Sequence, residues 1–216
     1  VAIRSSATAE DSSSASWAGE LETYLYTKKS TLVEHVKLCW SSLFTPRAIF
    51  YRAEKGIHDQ PVAVAVVVQV MVASEVSGVC FTVHPVTKDH NQLIIEAGWG
   101  LDEAIVAGMI TPDSYVVDKS DGTILDTYIS EQAMKIVRKP EGGTEEAIVN
   151  PDDRDRQKLS HERVIELAKL CQKIEQHYGT PQDIEWALAE TKPFDKAQGK
   201  TALQFWITQS RPITTL

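Results

Sequence analysis

Asp183-Ile184-Glu185-Trp186, preceded by Gly179-Thr180-Pro181, and the later Gln209-Ser210-Arg211-Pro212 are the stretches that decide how this chain is read. Each has the pattern of a β-strand. Successive strand side chains alternate in direction, so Asp183 and Glu185 share one face of their strand, and Gln209 and Arg211 share one face of theirs. If the two strands pair, two carboxylates, a carboxamide and a guanidinium come together. Carboxylate and amide oxygens are hard donors suited to Mg²⁺, and arginine grips phosphate bidentately. The same four residues also describe a solvated hairpin face with a surface ion pair. The pattern alone leaves both readings open.

The chain has 216 residues, long enough for one large domain or two small ones with a real core. Helical and strand-like patterns alternate irregularly, which predicts a mixed α and β fold. The net charge of −8, with no basic stripe against it, excludes a general nucleic-acid surface. It does not exclude a nucleotide, whose phosphates need only local arginines, backbone N–H groups and a metal. Cys39, Cys80 and Cys171 are far apart and odd in number, which predicts buried thiols in a reducing cytoplasm rather than disulfides or a zinc site. No run is long enough to span a membrane as a helix, so no membrane partner is expected. The opening Val1-Ala2-Ile3-Arg4 has neither a signal peptide nor a start methionine, and reads as part of something longer.

That opening reads as a short strand delivering Arg4 into Ser5-Ser6-Ala7-Thr8-Ala9-Glu10-Asp11 and the hydroxylated run from Ser12 to Gly19. Such a run is either a floppy linker or a loop that closes over phosphates, and an arginine just before it favours the second. Glu20 to Tyr26 alternates loosely like a strand. Thr31 and Glu34 form a capping-box pattern. Val33, Val36, Trp40, Leu43 and Phe44 then predict a helix burying one face, with His35 off that stripe, and Pro46 starts a second short helix to Ala53. Val62 to Val72 is nearly all β-branched and predicts a central strand buried on both faces, with Gln69 as a polar residue that needs a partner.

Gly78 to Thr82 and Leu93 to Ala97 supply two further strands, joined by a polar turn at His84 to His90. Gly98-Trp99-Gly100-Leu101-Asp102-Glu103 is a glycine-bearing strand-to-helix turn that could approach a phosphate, with a helix following through Gly108. Asp113 to Val117 and Thr123 to Tyr128 predict a hairpin, and Met134 to Val137 a strand. Pro140 to Asp155 reads as an exposed linker. Ser160 caps a long helix with Val164, Leu167, Ala168, Cys171, Ile174 and Tyr178 inward, stopped by Gly179. Thr191 to Thr201 reads as a solvent-exposed hairpin loop.

Taken together these segments resemble the nucleotide-binding domain of the phosphoenolpyruvate synthase and pyruvate phosphate dikinase family, which has the ATP-grasp fold. The resemblance rests on Val1-Ala2-Ile3-Arg4-Ser5-Ser6-Ala7-Thr8-Ala9-Glu10-Asp11, Ala15-Ser16-Trp17-Ala18-Gly19 and Cys39-Trp40-Ser41-Ser42-Leu43-Phe44. It continues through Gln69-Val70-Met71-Val72, Ser77-Gly78-Val79-Cys80-Phe81-Thr82 and Gly98-Trp99-Gly100-Leu101 to the two closing strands. It implies an α+β, ATP-grasp-like fold of mostly antiparallel sheets with packed helices, incomplete at the N-terminus. Residues 1–60 would form the phosphate-loop and helical part, and residues 61–216 the adenine-hinge and metal/phosphate part, of one ATP-grasp domain.

The resemblance also implies roles, with ATP and Mg²⁺ as the bound species. Arg4 and Arg211 match phosphate-contacting arginines, and Gly19 and Thr23 match a mobile loop over the phosphates. Gln69, Val70, Met71 and Val72 match the strand whose backbone holds adenine. Glu185 and Gln209 match the pair that positions Mg²⁺, Asp183 is a supporting carboxylate, and Glu103 is an acidic position after the glycine turn. Partners would be the pyruvate-binding and phosphohistidine domains of the whole enzyme, with a homodimer compatible with the intact protein. In that enzyme a phosphoryl group passes from ATP to a carrier histidine and on to pyruvate. Glu20 stands where the family commonly has glutamine, and the segment from Thr191 to Thr201 is longer than the family's. The family's N-terminal subdomain with its phosphate-contacting lysine has no counterpart in these residues, so the chain alone is expected to be inactive. Rifampin phosphotransferases and glucan dikinases, which share the module, are the alternatives, together with a non-catalytic binding module or a purely structural piece.

Overall fold

The computed structural model describes residues 1–8, 17, 19–57, 59, 61–190 and 202–213. The chain divides into two compact units, Val1–Met71 with Arg138–Glu145, and Val72–Val137 with Glu146–Leu216. Elements are numbered in chain order.

The first unit is built on a three-stranded antiparallel sheet, with β1 (Ala2–Ala7) between β2 (Thr23–Tyr24) and β3 (Val64–Gln69). Helices α1 (Leu32–Ser41) and α2 (Pro46–Glu54) follow β2. Ile3, Ser5 and Ala7 pair with Val68, Val66 and Val64, so these residues share a face. Trp17, Leu43 and Ile57 cluster with Ala7 and Val64 on that side. The Cys39 thiol reaches the carbonyls of Ile3 and Glu22 from α1.

Several expectations fail in this unit. The valine run is not a central strand buried on both faces. Only Val64–Gln69 forms a strand, at the edge of its sheet among the described residues, and Ala65, Val67 and Val68 are exposed; Ala65 and Val67 lie on the face away from the Ala7 and Val64 cluster. The α1 stripe is also rotated. Cys39 and Leu43, one turn apart, point inward, leaving Val33, Trp40 and Phe44 more than half exposed. Thr31 makes no side-chain cap; its hydroxyl donates to the Lys28 carbonyl instead. Pro46 does begin α2, whose N-cap is the Thr45 hydroxyl. His35 is half-buried, stacked on Tyr24 and 2.7 Å from the Thr27 hydroxyl, rather than exposed.

The second unit carries a six-stranded antiparallel sheet. Its order is β11 (Leu203–Pro212), β10 (Gln182–Glu190), β4 (Val76–Phe81), β5 (Gln92–Trp99), β6 (Asp113–Asp118) and β7 (Ile124–Tyr128). Helix α4 (His161–Tyr178) packs on one face, where Val164, Leu167, Ala168 and Cys171 meet Cys80, Ile95, Tyr115 and Ile184 in a core closed to solvent. Ser160 caps α4 and Gly179 closes it as expected, but Tyr178, at the helix end, is exposed. The helix expected through Gly108 is only α3 (Glu103–Val106).

Pro140 to Asp155 is not a linker. It supplies β9 (Thr144–Ile148), which pairs with β8 (Met134–Arg138) in a two-stranded sheet, followed by a 3₁₀ turn at Pro151–Asp153. The turn between these strands runs through Gly142 and Gly143, both at positive φ, with the Lys139 amide donating to the Gly143 carbonyl.

A fully buried ion pair ties three segments of the second unit together. The Lys158 ammonium donates to Asp113 Oδ1 at 2.9 Å and to the Ser130 carbonyl at 2.6 Å. Asp113 also accepts from Tyr115 Oη and from the backbone amides of Ser130 and Lys158. Every oxygen of the pair thus has donors, which is what makes a buried charge tolerable. Burial and the adjacent Asp113 charge push the Tyr115 phenol upward. The three cysteines are buried and free, as expected.

Candidate functional site

In the second unit the two quoted strands do pair. The register sets Asp183 opposite Arg211 and Glu185 opposite Gln209, with a bulge just beyond Glu185. All four project from the sheet face opposite α4, because Ile184 between them is buried against the helix core. Arg211 donates from Nε and Nη2 to one oxygen, Asp183 Oδ2, at 2.9 and 2.7 Å. The ion pair of the simpler reading is therefore present, and it fixes the guanidinium rather than leaving it loose in solvent.

The register adds a residue that sequence reading missed. Glu185 is opposite Val79, and Val79 is opposite Glu96 on β5. Gln209, Glu185, Val79 and Glu96 therefore form one row across four strands on one face. Glu96 is half-buried, and its carboxyl is held above the usual carboxylate range, first by burial and then by the Asp183 charge. The missing signal was alternation: Ile95 faces the core, so Glu96 must face the other way.

In the first unit, Arg4, Thr23 and Gln69 lie on one face. Arg4 is registered against Thr23 and Val67, Gln69 against Ala2, and Arg4 Nη1 donates to Gln69 Oε1 at 3.4 Å. Gln69 thus has the partner that its position demanded. Gly19 sits at positive φ in the turn where the Glu20 amide donates to the Trp17 carbonyl. Residues 9–16 and 18 of the expected phosphate loop, and 191–201 of the expected hairpin loop, lie outside the described residues. Val70 is exposed, and Met71 and Val72 are half-buried. The division between the units falls between Met71 and Val72.

The glycine turn differs from expectation. The Gly100 amide donates to the Glu75 carbonyl and the Leu101 amide to the Ile136 carbonyl, so both are committed to backbone partners and not offered to a phosphate. Glu103 begins α3, and its Oε2 is buried without a partner among the described residues.

The donor set suits Mg²⁺ carried on a nucleotide. Glu185 and Gln209 offer hard oxygens side by side, and among the described residues no group of three or more His, Cys, Asp or Glu could hold a metal ion. Two protein ligands completed by phosphate oxygens and water are how Mg²⁺ is usually held in phosphoryl-transfer sites. Among the described residues no helix is long and apolar enough to cross a membrane.

Antiparallel sheets with packed helices make this an α+β domain of the ATP-grasp kind. The chain belongs to the pyruvate phosphate dikinase AMP/ATP-binding domain family, whose model matches residues 1–216. It is 48% identical to the phosphoenolpyruvate synthase of Pyrococcus furiosus over 223 residues, which is all of this chain and 26% of that protein. It is 45% identical to the probable phosphoenolpyruvate synthase of Methanocaldococcus jannaschii, covering 17% of it, and 43% identical to the rifampicin phosphotransferase of Bacillus subtilis, covering 23%. The chain therefore spans a minor part of the length of the relatives it matches.

Proposed function

We propose that this chain is the ATP-binding part of a phosphoenolpyruvate synthase of the pyruvate, water dikinase type. The observation that carries the reading is the register of β10 on β11, which sets Asp183 against Arg211 and Glu185 against Gln209 on the face away from α4. In this reading Glu185 and Gln209 hold Mg²⁺, which neutralises phosphate charge. Arg211, oriented by Asp183, and Arg4, oriented by Gln69, grip the phosphate oxygens. The backbone from Gln69 to Val72 holds adenine, Gly19 and Thr23 belong to the cover over the phosphates, and Glu103 stands at the nucleotide's margin. Catalysis of phosphoryl transfer is mainly positioning and charge neutralisation, which such a set supplies. The acceptors, a carrier histidine and then pyruvate, would lie in other domains of the longer protein. The two units would be parts of one nucleotide-binding domain, and the site of action the cytoplasm.

The test uses the full-length protein that carries this chain. Glu185→Ala and Arg211→Ala should each lower pyruvate-dependent formation of AMP from MgATP by about 10² to 10³, the usual cost of one charge-stabilising group. Wild-type MgATP affinity and wild-type turnover in both variants would sink the reading. A second reading, a rifampicin-type phosphotransferase, has support in the 43% identity to the Bacillus subtilis protein along the whole chain. Supplying pyruvate or rifampicin as acceptor to the same full-length protein separates the two.

A further inference from the structure

Ser74 and Ser77 lie just beyond Val72, and both hydroxyls donate to one acceptor, the Gly100 carbonyl, at 2.9 and 2.6 Å. Ser77 is buried and Ser74 half-buried. A carbonyl oxygen has two lone pairs, so this pair of donors saturates it. The peptide around Glu75 is fixed as well. Its amide donates to the Leu188 carbonyl at 3.0 Å, and its carbonyl accepts from the Gly100 amide at 2.9 Å.

The turn that receives these bonds is itself held rigidly. Gln132, almost fully buried, accepts from the Trp99 amide at 2.8 Å and donates from Nε2 to the carbonyls of Trp99 and Met134. The Trp99 indole donates to the Asp153 carbonyl at 3.1 Å. At Gly100, where φ is +88°, a Cβ would lie 2.6 Å from the Ile136 carbonyl oxygen, so only glycine fits.

We infer that Ser77, with Ser74, is a positioning residue for nucleobase selection: the two hydroxyls on the Gly100 carbonyl fix the backbone that follows the adenine-holding segment. The inference rests on the reading of Gln69 to Val72 as that segment. A backbone that recognises a base does so through N–H and C=O groups at fixed positions. The six-membered-ring edge of adenine presents an amino donor beside a ring acceptor, and guanine presents the reverse pair. Discrimination arises because the wrong base leaves buried polar groups unpaired, and that penalty persists only while the backbone cannot shift to relieve it. Two side-chain bonds to a clamped turn are a device for preventing such a shift. They also give Gly98-Trp99-Gly100-Leu101 a use that needs no phosphate contact.

The experiment compares MgATP and MgGTP affinities by calorimetry in the full-length protein carrying this chain. Ser77→Ala should lower the ATP-to-GTP preference about tenfold, a modest loss for buried hydrogen bonding, and Ser74→Ala should lower it less in the same direction. Ser120→Ala, whose hydroxyl bonds Asp118 in an exposed turn, should leave the preference unchanged. An unchanged preference in Ser74→Ala and in any folded Ser77→Ala protein overturns the inference, whatever happens to thermal stability. The inference also fails if Ser120→Ala lowers the preference as much as Ser77→Ala does. A wild-type protein that binds no MgATP overturns the nucleotide reading as well, so the two failures are distinguishable.

Discussion

Each unit of this chain is a sheet with helices on one face and candidate ligand residues on the other, yet the two sheets are finished differently. In the second unit α4 seals a core in which Cys80, Ile95, Tyr115, Leu167, Cys171 and Ile184 have no exposure at all. In the first unit an equally apolar strand, β3, leaves Ala65, Val67 and Val68 exposed, and Trp40, Phe44 and Phe50 stand out from the helices. The contrast shows that an apolar run reports a tendency to be buried, whereas burial itself depends on a second surface. It also bears on the polar faces. On the face of the second sheet away from α4, Glu96 is partly desolvated and feels the Asp183 charge, so its carboxyl is held above the usual range.

The contrast breaks first at the buried ion pair. Lys158→Met should cost the chain about 3 to 5 kcal/mol, because Asp113 is left charged and buried without its ammonium. Urea unfolding measures this, and adding Asp113→Asn should recover part of the loss. Next, Ile184→Ala should cost about 2 to 5 kcal/mol through the cavity it opens under α4. By contrast Val67→Thr, at an exposed position of an equally apolar strand, should stay within about 0.5 kcal/mol. If Val67→Thr cost as much as Ile184→Ala, β3 would be buried in solution and the contrast would collapse.

The smallest effect is a pH dependence. Glu96 has a folded-state pKa above the unfolded value near 4.5, so the folded state binds the extra proton. Its contribution is therefore most favourable at pH below 4.5 and declines as pH rises from there through the folded-state pKa. Glu96→Gln should flatten that part of a melting-temperature titration. An unchanged profile would show that Glu96 is not desolvated as its position on the sheet implies.

Much of the site was legible because strand alternation is a local rule. Once Asp183-Ile184-Glu185 and Gln209-Ser210-Arg211 are strands, each pair shares a face wherever the chain goes. The same holds for Ser160, Pro46 and Gly179, whose chemistry ends or begins a helix within one turn. Gln69 also announced its need for a partner, though not that Arg4 would supply it.

What the sequence could not state depends on register between distant segments. Glu96 joins the Glu185 row because β4 carries Val79 between them, and that pairing is fixed by the packing of six strands under α4. Ser77 and Gly100 likewise meet only because β4 and β5 are antiparallel neighbours. The exposure of β3 was equally out of reach, since a strand's burial is decided by what lies beside it. By itself the sequence determined most of the elements, the alternation of faces along the paired strands at residues 183–186 and 209–212, and the carboxylates, carboxamide and guanidinium of the candidate face. Tertiary structure alone decided which of those faces were covered and which residues became neighbours, because burial and register are properties of pairs of surfaces.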